Sequence, residues 1–358
     1  TGHILLNLGE GLTNESGAWV RRVSDTEVEG MKLLGTFCYN PQAVFPVYFV
    51  MRVSKRPAAT GFWKKQPPKQ GVEAEWDKDD GNYKLYTQYG KDIAGDDVGV
   101  WFSYDMQPGE QVEVRMGVSF VSAENARLNL EAEQQGRSFD DIRAAARRTW
   151  NDDLGRIRVE GGTEAQKKVF YTGLYHALIH PNVLSDVNGE YPAMESAEIR
   201  TAEGNRYTVF SLWDTYRNLH QLLTLVYPER QLEMVRSMVG MYREWGWLPK
   251  WELYGRETFT MEGDPSIPVI VDTWMKGLRD FDMDAAYEAM RKSATTPGAR
   301  NRMRPDIDPY IEKGYVPLGF YARDLSGDNS VSHALEYYIA DHALSLLADS
   351  LGRREDAA

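Results

Sequence analysis

Cysteine, positive charge and long apolar runs are all scarce in this sequence. The single cysteine, Cys38, makes an intrachain disulfide impossible and excludes a cysteine-rich zinc site. Acidic residues outnumber basic ones, with 53 aspartates and glutamates against 41 lysines and arginines, so the net charge is −12. A net acidic protein is a poor partner for nucleic acid or for an anionic membrane surface. No apolar stretch is long enough to span a bilayer.

The motifs that identify several common enzyme classes are missing as well. The sequence has no Gly-X-Gly dinucleotide loop, no phosphate-binding P-loop, no His-Glu-X-X-His zinc motif and no Gly-X-Ser-X-Gly nucleophile elbow. It also lacks an initiator methionine and a charged-then-apolar signal peptide. We therefore expect either a mature chain trimmed at both ends or an interior piece of a longer protein.

The first part of the chain, residues 1–121, predicts a β-sandwich. Short β-rich runs alternate there with turn signals, and several such runs in this length favour a sandwich over a parallel sheet. The runs are AWVRRV, PVYFVMRV, YKLYTQYG, VGVWFSY and QVEVRMGVSFV, separated by the turn clusters RPAAT, KDDGN and AGDD. Residues 122–160 are rich in Ala, Leu, Glu and Arg with a helical period, which predicts a helical linker.

The last part, residues 161–358, predicts one helix after another. We expect six substantial helices, in the segments KKVFYTGLYHALI, SLWDTYRNLHQLLTLVY, RQLEMVRSMVGMYREW, SIPVIVDTWMKGL, DAAYEAMRKSA and SVSHALEYYIADHALSLLADSL. Long irregular loops are expected at 181–209, 245–263 and 295–329. Loops on a rigid helical scaffold are common positions for binding groups.

Three helix ends can be predicted from local signals. Thr163 and Gln166 have the spacing of a capping box at the start of the first helix. Asp264 followed by Pro265 predicts an N-cap with proline at the first helical position. Gly352 predicts the end of the last helix.

Half of the ten tryptophans are concentrated in a short part of this helical region, namely Trp213, Trp245, Trp247, Trp251 and Trp274. The run GWLPKWELYGRETFTMEGDPS adds charged side chains to this aromatic concentration. Sugars bind aromatic faces through their C–H side and charged or amide groups through their hydroxyls. The pattern predicts a carbohydrate cleft, while the alternative that these tryptophans fill a helical core stays open.

The segment FSLWDTYRN leaves two roles open for Asp214. Arg217 lies three residues further on and could neutralise the carboxylate within a helical core. Alternatively, Trp213 and Asp214 face a cavity and hold a polar ligand.

Other candidate groups are carboxylates and histidines. Glycoside hydrolysis needs two carboxylates on either side of one bond, and the tryptophan-rich loop could supply one of them. Its carboxylates are Glu252, Glu257, Glu262 and Asp264. His176 and His180 are four residues apart on a predicted helix, a spacing that can bind a metal, although packing explains them better.

Six stretches of the chain, taken together, resemble glycoside hydrolase family 92, the calcium-dependent exo-α-mannosidases. They run in the family's order over nearly the whole chain: ILLNLGEGLTNESGAWVRRVSDTEVEG, VYFVMRVSKRP, KKVFYTGLYHALIHPNVLSD, FSLWDTYRN, GWLPKWELYGRETFTMEGDPSIPVIVDTWMKG and SVSHALEYYIADHAL. The resemblance implies an N-terminal β-sandwich, a helical linker and an (α/α)6 barrel. On this basis residues 1–121 are a sandwich that lacks its N-terminal part, and residues 161–358 are the first half of the barrel.

The resemblance also implies an activity and a set of site residues. The expected reaction is exo-hydrolysis of terminal α-mannose from a glycan, with inversion and with a calcium ion on the mannose hydroxyls. Trp213 and Asp214 match the family residues that contact the terminal mannose, and we expect Arg256 and Glu257 on the wall of the same pocket. A bacterial protein, periplasmic or secreted, is expected.

The sequence departs from the family pattern at its end. In the family, the segments carrying the general acid, the calcium ligands and the base follow the helix that matches SVSHALEYY, where this chain stops. We therefore expect no catalytic residue and no metal ligand within the 358 residues, and no activity from this chain alone. A C-terminal fragment of the same protein is the expected partner. The match to the last motif is also loose, because Ala340-Asp341-His342 replaces an Asp-Asp-aromatic run.

Two other functions remain open at this stage. Another enzyme with a sandwich and a helical barrel, such as a glycoside phosphorylase, would need an arginine-built anion site in its cavity. A non-catalytic glycan-binding protein would bind sugar without turning it over.

Overall fold

The structure is a computed structural model that describes residues 1–9, 17–35, 40–65, 83–86, 90–298, 300–319 and 329–357. Cys38 and the expected turn cluster KDDGN lie outside the described residues. The chain divides into two compact units. The first is formed mainly by the strands of the N-terminal part, and the second mainly by the helices that follow.

Within the described residues, nine strands build the first unit. They are β1 (Gly2–Asn7), β2 (Ala18–Arg22), β3 (Glu27–Gly35), β4 (Val44–Val53), β5 (Ala59–Lys65), β6 (Tyr83–Tyr86), β7 (Asp92–Gly95), β8 (Val98–Tyr104) and β9 (Val114–Ser119). They form a four-stranded sheet in the order β1-β8-β5-β6 and a five-stranded sheet in the order β7-β2-β3-β4-β9. Neighbouring strands are antiparallel in both sheets.

The two sheets share one apolar core. Val20 and Phe49 of the five-stranded sheet belong to the same buried cluster as Phe62, Val100 and Phe102 of the four-stranded sheet. Since side chains alternate between the faces of a strand, each sheet buries one face in this core. The architecture confirms the predicted β-sandwich.

Helix α1 (Ala123–Gln134) covers part of the five-stranded sheet. Ala126 and Leu130 pack against Val50 of β4. The approach requires a glycine, because a Cβ on Gly117 of β9 would lie 2.1 Å from the carbonyl oxygen of Ala126.

Three strands, β3, β5 and β7, were not expected from the sequence. The β3 segment EVEGMKLLG contains residues that are uncommon in strands, including Gly30. In the structure a Cβ at Gly30 would lie 2.6 Å from the ring of Phe49 and 2.4 Å from the carbonyl oxygen of Trp19. The cluster RPAAT was expected as a turn, but β5 already begins at Ala59.

From residue 139 onward most elements are helices: α2 (Phe139–Leu154), α3 (Glu164–Ala177), α4 (Leu212–Thr215), α5 (Leu219–Val226), α6 (Pro228–Trp245), α7 (Ser266–Met275), α8 (Met283–Thr295), α9 (Ile307–Lys313), α10 (Ser330–Ser350) and α11 (Arg354–Ala357). Short strands lie between them: β10 (Asn182–Val183), β11 (Glu190–Pro192), β12 (Ile199–Thr201), β13 (Tyr207–Thr208), β14 (Phe210–Ser211), β15 (Trp251–Leu253) and β16 (Arg256–Glu257). No described helix is long and apolar enough to span a bilayer.

Helices α5, α6, α7, α8 and α10 each bury apolar side chains in the helical core. Leu223 of α5, Met238 of α6, Ile270 of α7, Met290 of α8 and Leu347 of α10 are all buried in it. Burial of these side chains is the main source of stability for helices of this length.

Two helix ends agree with the sequence analysis. The Thr163 hydroxyl accepts a hydrogen bond from the Gln166 amide at 3.2 Å, and the Thr163 amide donates to the Gln166 side chain at 2.9 Å. This confirms the capping box. Gly352 follows α10 with a φ of +73°, as expected for a C-terminal glycine.

Three expectations for this region were wrong. The segment SLWDTYRNLHQLLTLVY is two helices, α4 and α5, because Asn218 between them has an extended φ of −155°. The N-cap of α7 is Pro265, and the Asp264 carboxylate instead accepts hydrogen bonds from Ser293 and Arg304. The expected loop at 295–329 contains α9.

The expected domain boundaries at 1–121, 122–160 and 161–358 stay predictions. Helices α1 and α2 occupy the expected linker region.

Candidate functional site

The candidate site lies where β14 passes directly into α4, a single turn that contains Trp213 and Asp214. The Asp214 side chain is exposed and accepts a hydrogen bond from the hydroxyl of Ser211. Trp213 is half-buried against the helical core, and its buried indole Nε1 has no hydrogen-bond partner among the described residues. The turn therefore presents a carboxylate at the surface beside a partly covered indole.

Arg217 does not neutralise Asp214. Its Nη2 lies 2.9 Å from Oε1 of Glu336 on α10, and its guanidinium lies over the rings of Trp213 and Tyr216, at 5.0 and 4.9 Å from their centroids. Within the part of the chain that the structure describes, Asp214 makes no ion pair. Of the two roles left open for this carboxylate, the intrahelical partner is excluded by this arrangement.

Glu336 is shared between two neighbours. The hydroxyl of Tyr216 donates to its Oε2 at 2.6 Å, while Arg217 occupies Oε1. Burial and this hydrogen bond raise the pKa of Tyr216 to about 12, so the phenol stays protonated as a donor. The contacts of Tyr216 and Arg217 with Glu336 connect the end of α4 to the first half of α10.

A buried polar chain supports α4 from the core side. The Thr215 hydroxyl lies 3.0 Å from Nε2 of His220, and Nδ1 of His220 lies 2.9 Å from Oε1 of Gln231. Gln231 in turn donates to the hydroxyl of Thr273 at 2.9 Å. Burial lowers the pKa of His220 to about 4, so this histidine is neutral at pH 7. No local signal in the sequence distinguishes His220, because its helical spacing is that of an ordinary core residue.

The tryptophan-rich segment folds back on the same strand. Strands β14, β15 and β16 form a three-stranded antiparallel sheet, with Ser211 opposite Trp251 and Glu252 opposite Glu257. The loop and the strand that leads into α4 are therefore parts of one small sheet.

Glu257 has a different position from the one expected. Its side chain is fully buried, and its two oxygens accept hydrogen bonds from the amides of Lys250 at 2.8 Å, Trp251 at 3.0 Å and Phe259 at 2.8 Å. Burial raises the pKa of this carboxyl, and the three amides act in the opposite direction. Because no part of Glu257 reaches the surface, we correct its expected place on a pocket wall: it organises the loop from inside.

Arg256, the fourth expected site residue, keeps about a quarter of its side chain exposed. Its Nη1 lies 3.5 Å from Oε2 of Glu195. This residue is accessible, in contrast to its neighbour Glu257.

Glu252 is the second buried carboxylate of the loop. It accepts hydrogen bonds from the Gly255 amide at 2.6 Å, the Val209 amide at 3.1 Å and the Thr208 hydroxyl. Burial raises its pKa to about 7, while the Gly255 and Thr208 hydrogen bonds lower it. With every oxygen engaged, Glu252 is a structural group.

A third set of buried charges closes the loop against α9 and α10. Arg304 is fully buried, with Nε 3.0 Å from Asp264 and Nη1 2.7 Å from Asp341. His333 lies between Glu262 and Asp306, with its Nδ1 3.1 Å from Asp306. Burial acts to lower the pKa of His333, but the two carboxylates outweigh it and raise that pKa.

The five tryptophans of this region do not share one role. Trp213, Trp245 and Trp274 all pack partly buried against the helical core, as the core interpretation expects. The ring of Trp247 instead lies 4.5 Å from the ammonium of Lys292. A single cleft lined by all five tryptophans is not what the described residues show.

No cluster of three or more His, Cys, Asp or Glu side chains that could hold a metal ion occurs in the described ranges. His176 and His180, the spacing singled out in the sequence, are both exposed.

A cavity of about 900 Å³ lies elsewhere in the helical unit and contains none of the four expected site residues. Its arginines pair with neighbouring carboxylates: Arg230 lies 2.6 Å from Asp153, and Arg156 lies 2.5 Å from Glu229. Because these charges are already neutralised, we assign no ligand to this cavity.

Comparison with protein families gives two matches. The catalytic domain of glycosyl hydrolase family 92 matches residues 125–358, and the N-terminal domain of the same family matches residues 1–119.

Comparison with solved structures also gives matches to members of family GH92. A family GH92 α-mannosidase from Bacteroides thetaiotaomicron, in complex with mannoimidazole, is 30% identical with a TM-score of 0.83, and the match covers 99% of this chain and 43% of that one. A family GH92 inverting mannosidase from Bacteroides thetaiotaomicron VPI-5482 is 26% identical with a TM-score of 0.83, covering 99% and 44%. Both support the β-sandwich followed by part of a helical barrel.

Among curated proteins, an uncharacterized secreted glycosidase from Arthroderma benhamiae is 27% identical over 255 residues. That match covers 69% of this chain and 29% of the relative. The chain thus spans less than half of the length of the relatives it matches. Since the catalytic-domain match alone takes in well over half of the residues, the chain belongs to glycoside hydrolase family 92.

Proposed function

We propose that the complete protein is an exo-acting α-mannosidase that hydrolyses terminal α-mannose from a glycan with inversion. The observation that carries the proposal is the α4 turn, where Asp214 is exposed beside Trp213 and makes no ion pair with any described residue. A carboxylate in this state can accept hydrogen bonds from two sugar hydroxyls, and the indole offers an apolar face to the C–H side of the ring. The mannosidase structures that this chain resembles support mannose as the sugar.

In this proposal the neighbouring residues position the binding pair. Arg217 lies over the ring of Trp213 and is itself fixed by Glu336. The buried chain from Thr215 to His220 holds the other end of α4. Arg256 stays a candidate for contact with the substrate, whereas Glu257 acts through the loop backbone.

The acid and base that break the glycosidic bond are proposed to lie on polypeptide beyond residue 358. The two fully buried carboxylates of the loop, Glu252 and Glu257, already accept hydrogen bonds from the backbone and are not available for proton transfer to a ligand. The chain alone is therefore expected to be inactive. This is consistent with a chain that spans 43% of a solved α-mannosidase.

Calcium is proposed for the complete protein only from the family resemblance. The described residues do not fit this ion, because they contain no cluster of three potential ligands. We therefore derive no step of the reaction through it.

Exposed apolar faces on two helices support a C-terminal partner segment. On α3, Val169 is 73% exposed, and on α10, Val331 and Leu335 are 70% and 55% exposed. Exposed apolar faces of this kind are unusual on the surface of a complete, folded helical domain. We propose that the rest of the helical domain, as a continuous chain or a separate fragment, packs on them. Secretion or export to the periplasm is proposed from the secreted relative.

The test uses the complete protein with an aryl α-mannoside and an α-linked mannobiose. We expect release of mannose whose first-formed anomer is β, as seen by proton NMR, and loss of activity with a calcium chelator. Activity that requires inorganic phosphate would point instead to a phosphorylase. Mannobiose binding without any turnover would contradict the enzyme proposal. Turnover by the 358-residue chain alone would contradict the proposed position of the acid and base.

A further inference from the structure

Two tryptophans lie on the outer face of the four-stranded sheet, each over a glycine of the neighbouring strand. In the register of β5 and β8, Trp63 is opposite Gly99 and Trp101 is opposite Gly61. A Cβ on Gly99 would lie 2.1 Å from the indole of Trp63, and a Cβ on Gly61 would lie 2.8 Å from the indole of Trp101. Each indole therefore lies against the glycine backbone of the neighbouring strand, and each ring needs that glycine.

This reciprocal pairing places the two rings on the same face of the sheet. Residues two apart on a strand share a face, so both tryptophans are on the face opposite to the sandwich core. Their diagonal positions are about 7–8 Å apart, a separation that two linked sugar rings can span. Both rings are half-buried, with one side on the sheet and the rest accessible.

The surroundings of the rings are neutral, with apolar and hydrogen-bonding groups side by side. A depression of about 490 Å³ over this face is lined by His3, Leu5, Asn7, Trp63, Leu85, Trp101 and Ser103. None of these residues is an Asp, Glu, Lys or Arg. Leu5 and Leu85 are 68% and 63% exposed, and they lie opposite Trp101 and Trp63 in the neighbouring strands.

Polar groups border the rings along β1. Nδ1 of His3 lies 2.8 Å from the hydroxyl of Ser103. The Asn7 side-chain oxygen accepts a hydrogen bond from the Gly9 amide at 2.9 Å, which leaves its NH2 group able to donate to a ligand.

We propose that this face, the Trp63–Trp101 platform, is a second glycan-binding site. Flat aromatic rings suit the C–H face of pyranose rings, the hydroxyl, imidazole and amide groups suit sugar hydroxyls, and the lack of charge suits a neutral ligand. The choice of α-mannan as the glycan rests on the proposed function. The platform would retain a long glycan on the enzyme between cleavage events.

The test measures binding of the complete protein to yeast α-mannan by affinity electrophoresis. A Trp63→Ala/Trp101→Ala double variant is expected to bind at least tenfold more weakly, while hydrolysis of a small aryl α-mannoside is unchanged. Phe139→Ala is the matched control, because Phe139 is an aromatic residue that is 64% exposed on α2. This control should bind mannan like the wild type.

A second variant keeps the test informative if the double variant does not fold. Leu85→Arg changes an exposed side chain and places a guanidinium beside Trp63, where it can cover the ring and compete with a sugar. We expect weaker mannan binding with an unchanged melting temperature. Wild-type affinity for mannan in both variants would overturn the proposal. It would also be overturned if size-exclusion chromatography showed that the platform joins two copies of the protein and the variants broke this dimer without changing mannan binding. If small mannosides are not hydrolysed but these variants still lose mannan binding, the proposed function fails and the platform stands.

Discussion

Arg217 forms its ion pair with Glu336 on α10 and lies over Trp213, so the carboxylate of Asp214 three residues earlier is left at the surface. Within one turn of chain, this arrangement gives Arg217 and Asp214 different roles. Arg217 and Glu336 hold the indole, and Asp214 is available for a ligand.

Replacing Asp214 by Asn tests this division. In the complete protein we expect kcat/KM for an aryl α-mannoside to fall by about 10- to 100-fold, because a charge-assisted hydrogen bond to the sugar is lost. The free energy of unfolding should change by less than about 0.5 kcal/mol, since the side chain is exposed. Asp349→Asn, at an exposed position on α10, is the matched control and should leave both quantities unchanged. An Asp214→Asn variant with wild-type kinetics would remove Asp214 from the site.

His220 gives a pH dependence to folding. Burial lowers its pKa to about 4 from an ordinary value of 6.5, so below pH 6.5 the unfolded chain takes up a proton that the folded chain does not. The His220 contribution therefore destabilises the folded state progressively as pH falls from about 6.5 to about 4, by roughly 3 kcal/mol at most.

The measurement compares urea unfolding of the wild type and of His220→Gln between pH 4 and pH 8. The difference between the two free energies of unfolding should change across the acid window and be constant above it. A difference that is flat at every pH would contradict a neutral buried His220.

Arg304 is expected to dominate the stability of the loop. Removing its side chain leaves the buried Asp264 without its cationic partner and Asp341 without one of its contacts. We expect Arg304→Ala to lower the free energy of unfolding by roughly 3–5 kcal/mol. Arg300→Ala, at an exposed position in the same segment, should cost less than about 0.5 kcal/mol. Equal effects of the two variants in thermal unfolding would show that the buried pair is not formed.

The apolar face of α10 distinguishes the isolated chain from the complete protein. In the 358-residue chain, Leu335→Asp changes a residue that is 55% exposed, so the cost to stability should be small and solubility should improve. In the complete protein the same change should lower the free energy of unfolding by roughly 2–4 kcal/mol, because an unpaired carboxylate would then be buried. Similar costs in the two forms would contradict the proposed packing on α10.

Much of the fold follows from local sequence pattern. The alternating runs that became β4 and β8, the capping box at Thr163 and the apolar stripes of α6 and α10 all depend on residues close in sequence. Strand β3 was missed because its Gly30 is explained only by the ring of Phe49 on the next strand. A contact between residues that far apart in the chain leaves no recognisable pattern in the local sequence of either residue.

The same limit applies to the candidate site. The sequence predicts Trp213 and Asp214 as site residues, and that stays a prediction, but the partner of Arg217 lies 119 residues further along the chain. Asp264 has the local pattern of an N-cap, yet its carboxylate is used by Arg304, 40 residues away. Glu257 was misplaced because sequence does not distinguish a carboxylate that faces a cavity from one that accepts backbone amides inside a loop.

The position of Glu257 has a dynamic consequence. One carboxylate holds the amide protons of Lys250, Trp251 and Phe259, which come from both sides of the β15–β16 hairpin. These three amides should exchange with deuterium at a common rate, because a single opening event releases all of them. Strand β14 pairs with β15 and leads directly into α4, so that event would also loosen the turn that carries Asp214.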